Sequence, residues 1–192
     1  MDRADGHPMS AAIDLARPAP VARALAELHA SVHARRAPQL PSQHEELARR
    51  IDRAQGLTAA QKRHAQSRLD ALPHGDALCH GDFHLDNIVL TAGGPVVIDW
   101  IDATRGDPLC DVARTVILIR HAHFHTTDAP RQEAVRAAAG RFAQIYLTHY
   151  ADTTGADVEE AELWIQTNAA ARMSEGIDVE QQALKALAGL PT

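Results

Sequence analysis

Between two helix-patterned stretches the chain carries LCHGDFHLDN, then IVL, TAGG and PVVIDW, over residues 78–100. Two β-branched runs around a glycine-containing turn predict a hairpin. That hairpin constrains everything around it. It makes Asn87 and Asp99, distant along the chain, neighbours in space. It also hangs a dense polar segment, His80, Asp82, His84, Asp86 and Asn87, at its open end. A core strand would not carry five polar side chains in so short a space, and a solvated loop does not need them, so a charged ligand is expected there.

The flanking sequence reads as helix. PVARALAELHASVHARR places Val21, Leu25, Leu28 and Val32 on one face, and QHEELARRIDRA forms a second helix. Thr58 with Gln61 three residues on is a capping box that opens a third helix, which stops at Pro73. Asp107 before Pro108 reads as a cap followed by the favoured first-turn proline. The run that follows is apolar almost all round and is expected at the centre. Further helices are expected over roughly 130–150, after Asp157 (with Glu160, a second capping box) and from about Asp178 to Gly189. The fold class is therefore α+β, mainly α, as a single domain over residues 1–192 with one small hairpin.

The net charge is −6 and the only lysines are Lys62 and Lys185, which leaves no basic footprint for nucleic acid. A cationic or neutral substrate is easier to accommodate. Two isolated cysteines, Cys79 and Cys110, make no disulfide framework and read as small buried thiols of a reducing compartment. The N-terminus lacks a signal-type apolar segment and no stretch is long enough to span a bilayer, so no membrane partner and a cytoplasmic location are expected.

The spacing His80-x-Asp82-x4-Asn87, a strand, a turn and then Asp99 suits phosphoryl transfer. That reaction needs one carboxylate to orient the attacking hydroxyl, with a second carboxylate and an amide oxygen to hold Mg²⁺ on the nucleotide phosphates. HGDFHLDN followed by VVIDWIDATRGDPLCDVAR resembles the catalytic half of the aminoglycoside phosphotransferase and choline kinase group, relatives of the protein kinases. RADGHPM resembles the hinge after the nucleotide lobe, and NAAARMSEGID the closing helices, so the resemblance runs from about residue 2 to 187. It implies a protein-kinase-like C-terminal lobe that transfers the ATP γ-phosphoryl group to the hydroxyl of a small molecule. Under it, Asp82 is the catalytic, hydroxyl-orienting group and Asn87 and Asp99 are Mg²⁺ ligands. His80 braces the loop, and Asp111 holds the loop from a helix start. His84 and Asp86 fall at variable family positions and receive no catalytic role. Glu175 and Asp178 either face a cationic substrate or serve only solvation and capping.

The resemblance also exposes a departure. Neither a glycine-rich phosphate loop nor a strand lysine is present, so the N-terminal nucleotide lobe is absent and the chain is expected to start at the hinge. Three explanations stay open: a fragment of a full enzyme, a lobe completed by a partner chain, or a non-catalytic binding protein that retains the lobe. The last two predict an exposed apolar docking surface. A transition-metal site is a separate reading, with His80, Asp82, His84 and Asp86 alternating, and His121, His123 and His125 alternating too. The glycine and loop character of the first set weigh against it.

Overall fold

A computed structural model describes residues 5–14, 16–120 and 129–191, with 129–131 described by backbone alone. His121, His123 and His125 lie outside the described residues. Helix α1 (Ala19–His33) opens with Pro18 and Pro20 in its first turn, where a missing N–H costs nothing. Its buried stripe takes in Ala22, Leu25, Ala26 and Val32, and also two histidines, His29 and His33. Helix α2 (Gln43–Arg53) buries Leu47 and Ile51 and turns Glu46, Arg50 and Arg53 away from them. Helix α3 (Ala59–Asp70) starts at the expected capping box. Thr58 Oγ1 accepts from the Gln61 N–H at 3.2 Å, and Gln61 Oε1 accepts from the Thr58 N–H at 3.0 Å.

The expected hairpin is β3 (Ile88–Thr91) against β4 (Gly94–Val97), in the register Ile88↔Val97 to Thr91↔Gly94. Gly94 takes φ 113° in the turn, a conformation closed to other residues. The ladder ends at Val97, so Ile98 and Asp99 leave the sheet, although the Ile98 N–H still donates to the Asn87 carbonyl at 2.9 Å. Three further short strands are present, one added to the hairpin and two forming a separate sheet. β1 (His7–Pro8) pairs with the outer side of β3, and β2 (Ala77–Cys79) pairs antiparallel with β5 (Thr104–Gly106). The two ends of the polar segment are thus pinned separately, the loop entry by β2–β5 and the exit by β3–β4.

Helix α4 (Pro108–Arg120) is buried on almost every face from Leu109 to Ile117, as its all-round apolar pattern requires. Asp107 Oδ1 caps it by accepting from the Leu109 N–H at 2.7 Å. Helix α5 (Ala129–Thr154) packs on α1 and α4, and α6 (Ala161–Arg172) on α4 and α2. Helix α7 (Asp178–Leu187) closes the fold. The expected Asp157–Glu160 box does not form. Asp157 Oδ1 accepts from the Glu159 N–H at 3.0 Å, inside a run of tight turns that delays α6 to Ala161. A short acidic side chain that satisfies a near backbone amide competes with the helix in this way. Cys79 and Cys110 are buried free thiols. No helix among the described residues is long and apolar enough to cross a membrane.

Candidate active site

The loop between β2 and β3 is held from behind. His80 is fully buried; its Nε2 meets the Ile98 carbonyl at 2.9 Å and its Nδ1 accepts from the Asp82 N–H at 3.2 Å. The ring is therefore the neutral Nε2–H tautomer, fixed by the strand on one side and the loop on the other. Gly81 has φ 81°, and a Cβ there would lie 2.4 Å from the Asp102 carbonyl oxygen, so only glycine fits. Asp111, one turn into α4, accepts from the His80 N–H at 2.5 Å and the Gly81 N–H at 2.9 Å.

Asp111 is itself caged. His29 Nε2 and His33 Nε2 lie 3.1 and 3.3 Å from its Oδ2. The far nitrogens meet the Tyr146 hydroxyl at 2.6 Å and the Tyr150 hydroxyl at 2.7 Å. Phe83 stacks on His29 at 3.8 Å. Burial alone would raise the Asp111 pKa, but the hydrogen bonds from His29 and His33 outweigh it and hold the carboxyl well below its usual range. Burial, with His33 alongside, lowers His29 to about 3, so at neutral pH His29 supports Asp111 as a neutral N–H donor. His29, His33 and Asp111 present donor atoms within 4.8 Å of one another, close enough for a metal ion. The hydrogen bonds close without one: each imidazole N–H meets the carboxylate, and each remaining nitrogen meets a tyrosine hydroxyl.

In front of this brace stands Asp82. Asn87 Nδ2 donates to the Asp82 carbonyl at 2.9 Å and to its Oδ2 at 3.2 Å, an orientation that leaves Asn87 Oδ1 as the amide's acceptor. His84 Nε2 lies 3.3 Å from Asp82 Oδ2, while its Nδ1 accepts from the Asp86 N–H. Arg114 Nη2 lies 3.3 Å from Asp82 Oδ1. Burial pushes the Asp82 pKa up; the His84 hydrogen bond and the Arg114 charge push it down further, to about 2.

Asp99 follows β4 with φ 62° and ψ 59°, the one non-glycine residue with positive φ among the described residues. Holding it there costs about 1–2 kcal/mol. Its carboxylate is exposed and has no protein partner among the described residues. Asn87 and Asp99 flank the open end of the hairpin and offer an amide oxygen and a carboxylate, hard oxygen donors that fit Mg²⁺. Beside them Val96, Trp100 and Ile101 stay exposed, Ile101 at 91%.

The structure thus brings Asp82 and Asn87 into contact, sets Asp99 across the hairpin end, and places His80 and Asp111 behind the loop. Glu175 reaches the same region, where its carboxylate meets Arg114 and Arg172, each at 2.8 Å. Asp178 is exposed at the start of α7. Two further residues touch Asp82: His84, which received no catalytic role from the sequence, and Arg114, which the sequence did not single out. The available signal for Arg114 was its place one helical turn after Asp111 on the same face. His84 stood in the motif itself.

A mainly helical chain carrying such a loop and hairpin has the architecture of the kinase-like phosphotransferases. Residues 1–154 match the family described as the phosphotransferase enzyme family, and the chain belongs to it. No curated protein matches in sequence. Among solved structures it is similar to an aminoglycoside-3'-phosphotransferase of type VIII (22% identity, TM-score 0.58, covering 91% of this chain and 66% of that one). It is also similar to a thermostable mutant of aminoglycoside phosphotransferase APH(4)-Ia (16%, 0.60, 96% and 68%). Choline kinase LicA from Streptococcus pneumoniae is a third (17%, 0.56, 98% and 68%). At these identities the likeness is one of fold. The chain spans about two thirds of the length of these structures.

Proposed function

We propose that this chain is the catalytic lobe of an ATP-dependent small-molecule kinase, with Asp82 orienting the substrate hydroxyl and Asn87 and Asp99 holding Mg²⁺. The observation that carries the reading is the division of labour at the hairpin end. Asn87 spends its NH₂ on Asp82 and keeps its oxygen, while Asp99 holds a strained backbone and a carboxylate without a partner among the described residues. Strain without a structural partner is the mark of a site built for a ligand. Mg²⁺, when bound, would neutralise charge on the nucleotide phosphates.

With its pKa at about 2, Asp82 is ionised at neutral pH and accepts a hydrogen bond from the substrate O–H. It is too weak a base to strip the hydroxyl in advance. Phosphoryl transfer does not need that, because its loose transition state leaves the proton on the nucleophile until the new P–O bond is well formed. Asp82 then takes the proton, and R–OH and ATP yield R–O–PO₃²⁻, ADP and H⁺. His84 and Arg114 fix the rotamer of Asp82, and His80 and Asp111 fix the backbone beneath it. In this reading residues 1–192 act as one lobe, and the rest of the nucleotide surface comes from elsewhere in the same polypeptide or from a partner chain.

The test is calorimetric titration of the chain with a non-hydrolysable ATP analogue, with and without Mg²⁺, beside Asp99→Ala. Mg²⁺-dependent binding that disappears in the variant supports the reading. Binding that ignores both Mg²⁺ and Asp99 favours a non-catalytic binding protein retaining this lobe, and no binding at millimolar nucleotide means that the chain alone is not a kinase.

A further inference from the structure

Beside Asp82 lies an open cavity of about 600 Å³, walled by α2, α4, the end of α6 and the turn that follows it. The phosphotransferase reading puts the substrate there, with its hydroxyl at Asp82. The charge of the cavity differs from that of the whole chain. Four guanidiniums and four carboxylates line it, so the wall is balanced although the chain carries −6.

The charges are also interlocked. Arg50 lies 2.9 Å from Glu46 and 2.9 Å from Asp102. Arg114 lies 3.3 Å from Asp82 and 2.8 Å from Glu175. Arg172 lies 2.8 Å from Glu175 and holds the buried Glu180 with two bonds of 2.6 and 2.9 Å. Arg53, exposed on α2, adds its charge beside Glu46. The pairs adjoin, because Glu175 lies 3.7 Å from Arg50 as well. An ammonium ligand would have to draw a carboxylate off its guanidinium, and an anionic ligand a guanidinium off its carboxylate. A pair broken on one side leaves the other charge uncompensated. Nor does the wall suit an alkylated ligand. Among the described residues it holds no phenyl, phenol or indole ring for a cation–π contact, and Leu118 is its single aliphatic side chain.

We infer that the hydroxyl substrate of this chain is an uncharged polyol, a sugar or a cyclitol, received by the alternating ion pairs of this wall. The inference rests on the phosphotransferase reading and names the substrate class of that same site. It keeps the neutral arm of the expected cationic or neutral substrate and drops the cationic one. A hydroxyl both donates and accepts. Set across a guanidinium–carboxylate pair, it donates to the carboxylate and accepts from the guanidinium without separating the two charges. A neighbouring hydroxyl repeats the match at the adjoining pair, and hydrogen bonds to charged partners are the strong ones.

The test is calorimetry at low salt without nucleotide, so that it does not depend on the Mg²⁺ site. The neutral probes are glucose, galactose, mannose, ribose and myo-inositol. Glucosamine and galactosamine are their cationic matches, glucuronate and galacturonate their anionic ones, and choline is the alkylated cation. At least one neutral polyol is expected to bind about fivefold or more tightly than every charged probe. Added salt should leave that affinity where it was. Glu46→Gln removes one carboxylate and leaves Arg50 on Asp102, so the wall gains a surplus positive charge. In that variant the uronates should gain about threefold on their neutral matches. An amino sugar, a uronate or choline binding as tightly as the best polyol overturns the inference. So does the absence of polyol binding at tens of millimolar, or a uronate-to-sugar ratio unchanged in a folded Glu46→Gln chain. If the melting curve shows that the variant does not fold, the native panel decides alone. Polyol preference with no Mg²⁺-nucleotide binding would keep the selectivity of the cavity and sink the kinase reading. Mg²⁺-nucleotide binding with a charged probe preferred would do the opposite.

Discussion

Asp111→Asn is the sharpest perturbation of the brace behind the loop. The native carboxylate accepts four hydrogen bonds, from the His80 and Gly81 backbone N–H groups and from His29 and His33. Asparagine supplies one acceptor oxygen and a donor NH₂. If that oxygen takes the place of Oδ2, it must serve three donors while the NH₂ confronts the Gly81 N–H. If it takes the place of Oδ1, the NH₂ confronts the other three. Tautomer changes at His29 and His33 can repair the imidazole contacts, but no rearrangement lets both backbone amides keep an acceptor. A buried donor left unsatisfied costs about 1–3 kcal/mol, and the surviving bonds lose their charge assistance. The sum is about 3–5 kcal/mol, which for a domain of this size lowers Tm by roughly 10 °C. Thermal unfolding measures the total, and hydrogen exchange at the His80 and Gly81 amides locates it. Tyr146→Phe is the control, because it removes one hydroxyl behind His29 and leaves both loop amides bonded to Asp111. A variant that melts within about 2 °C of native, with loop amides as protected as before, would refute the claim that Asp111 holds the loop.

Stability should fall on the acid side. Folding depresses His29 from 6.5 to about 3, so between those values the unfolded chain binds a proton that the folded chain refuses. Urea midpoints should drop as pH falls through this window, with a slope of about 1.4 kcal/mol per pH unit for this group, and a flat profile from 6.5 to 4.5 would contradict it. Asp82, depressed from 3.8 to about 2, adds stability that is present above 3.8 and is lost between those two values. Gly81→Ala drives a Cβ to 2.4 Å from the Asp102 carbonyl and strains φ 81°, so it should shift the loop and weaken any Mg²⁺-nucleotide binding about tenfold; unchanged binding by calorimetry would count against that placement. Arg114→Met removes one of the two groups that hold Asp82 low, and the Asp82 carboxyl resonance should titrate about one pH unit higher, with no change as the adverse result.

The parts legible in the sequence were those with a local period or a tight spacing. The hairpin showed in two β-branched runs around TAGG, and Thr58 with Gln61 announced a helix start three residues wide. The short strands β1, β2 and β5 carry no period in two or three residues, and their partners lie far along the chain. Asp157 and Glu160 had the spacing of a cap, but spacing could not show that a turn would take the Asp157 side chain first. Asp82, Asn87 and Asp99 stood out for the same reason as the hairpin. Arg114 did not, because on a helix that reads as wholly apolar an arginine looks like an interruption until its carboxylate partners are seen. The net charge of −6 does not show that four arginines stand against four carboxylates around the cavity beside Asp82, because a sum over the whole surface says nothing about which charges share one wall.

The brace itself had a trace in the sequence. His29 and His33 are four apart on α1, Tyr146 and Tyr150 are four apart on α5, and both contacts span 117 residues. Equal spacing on two helices running in the same direction lets complementary polar side chains meet as successive rungs, one turn apart. Such a pair of pairs on otherwise buried faces is a stronger contact signal than either pair alone. Polar groups on both faces must find partners, and one helix crossing satisfies both rungs together. Asp111 then completes the arrangement from the third helix, and the stiffness of the packed helices passes through it to the His80 and Gly81 amides beneath Asp82.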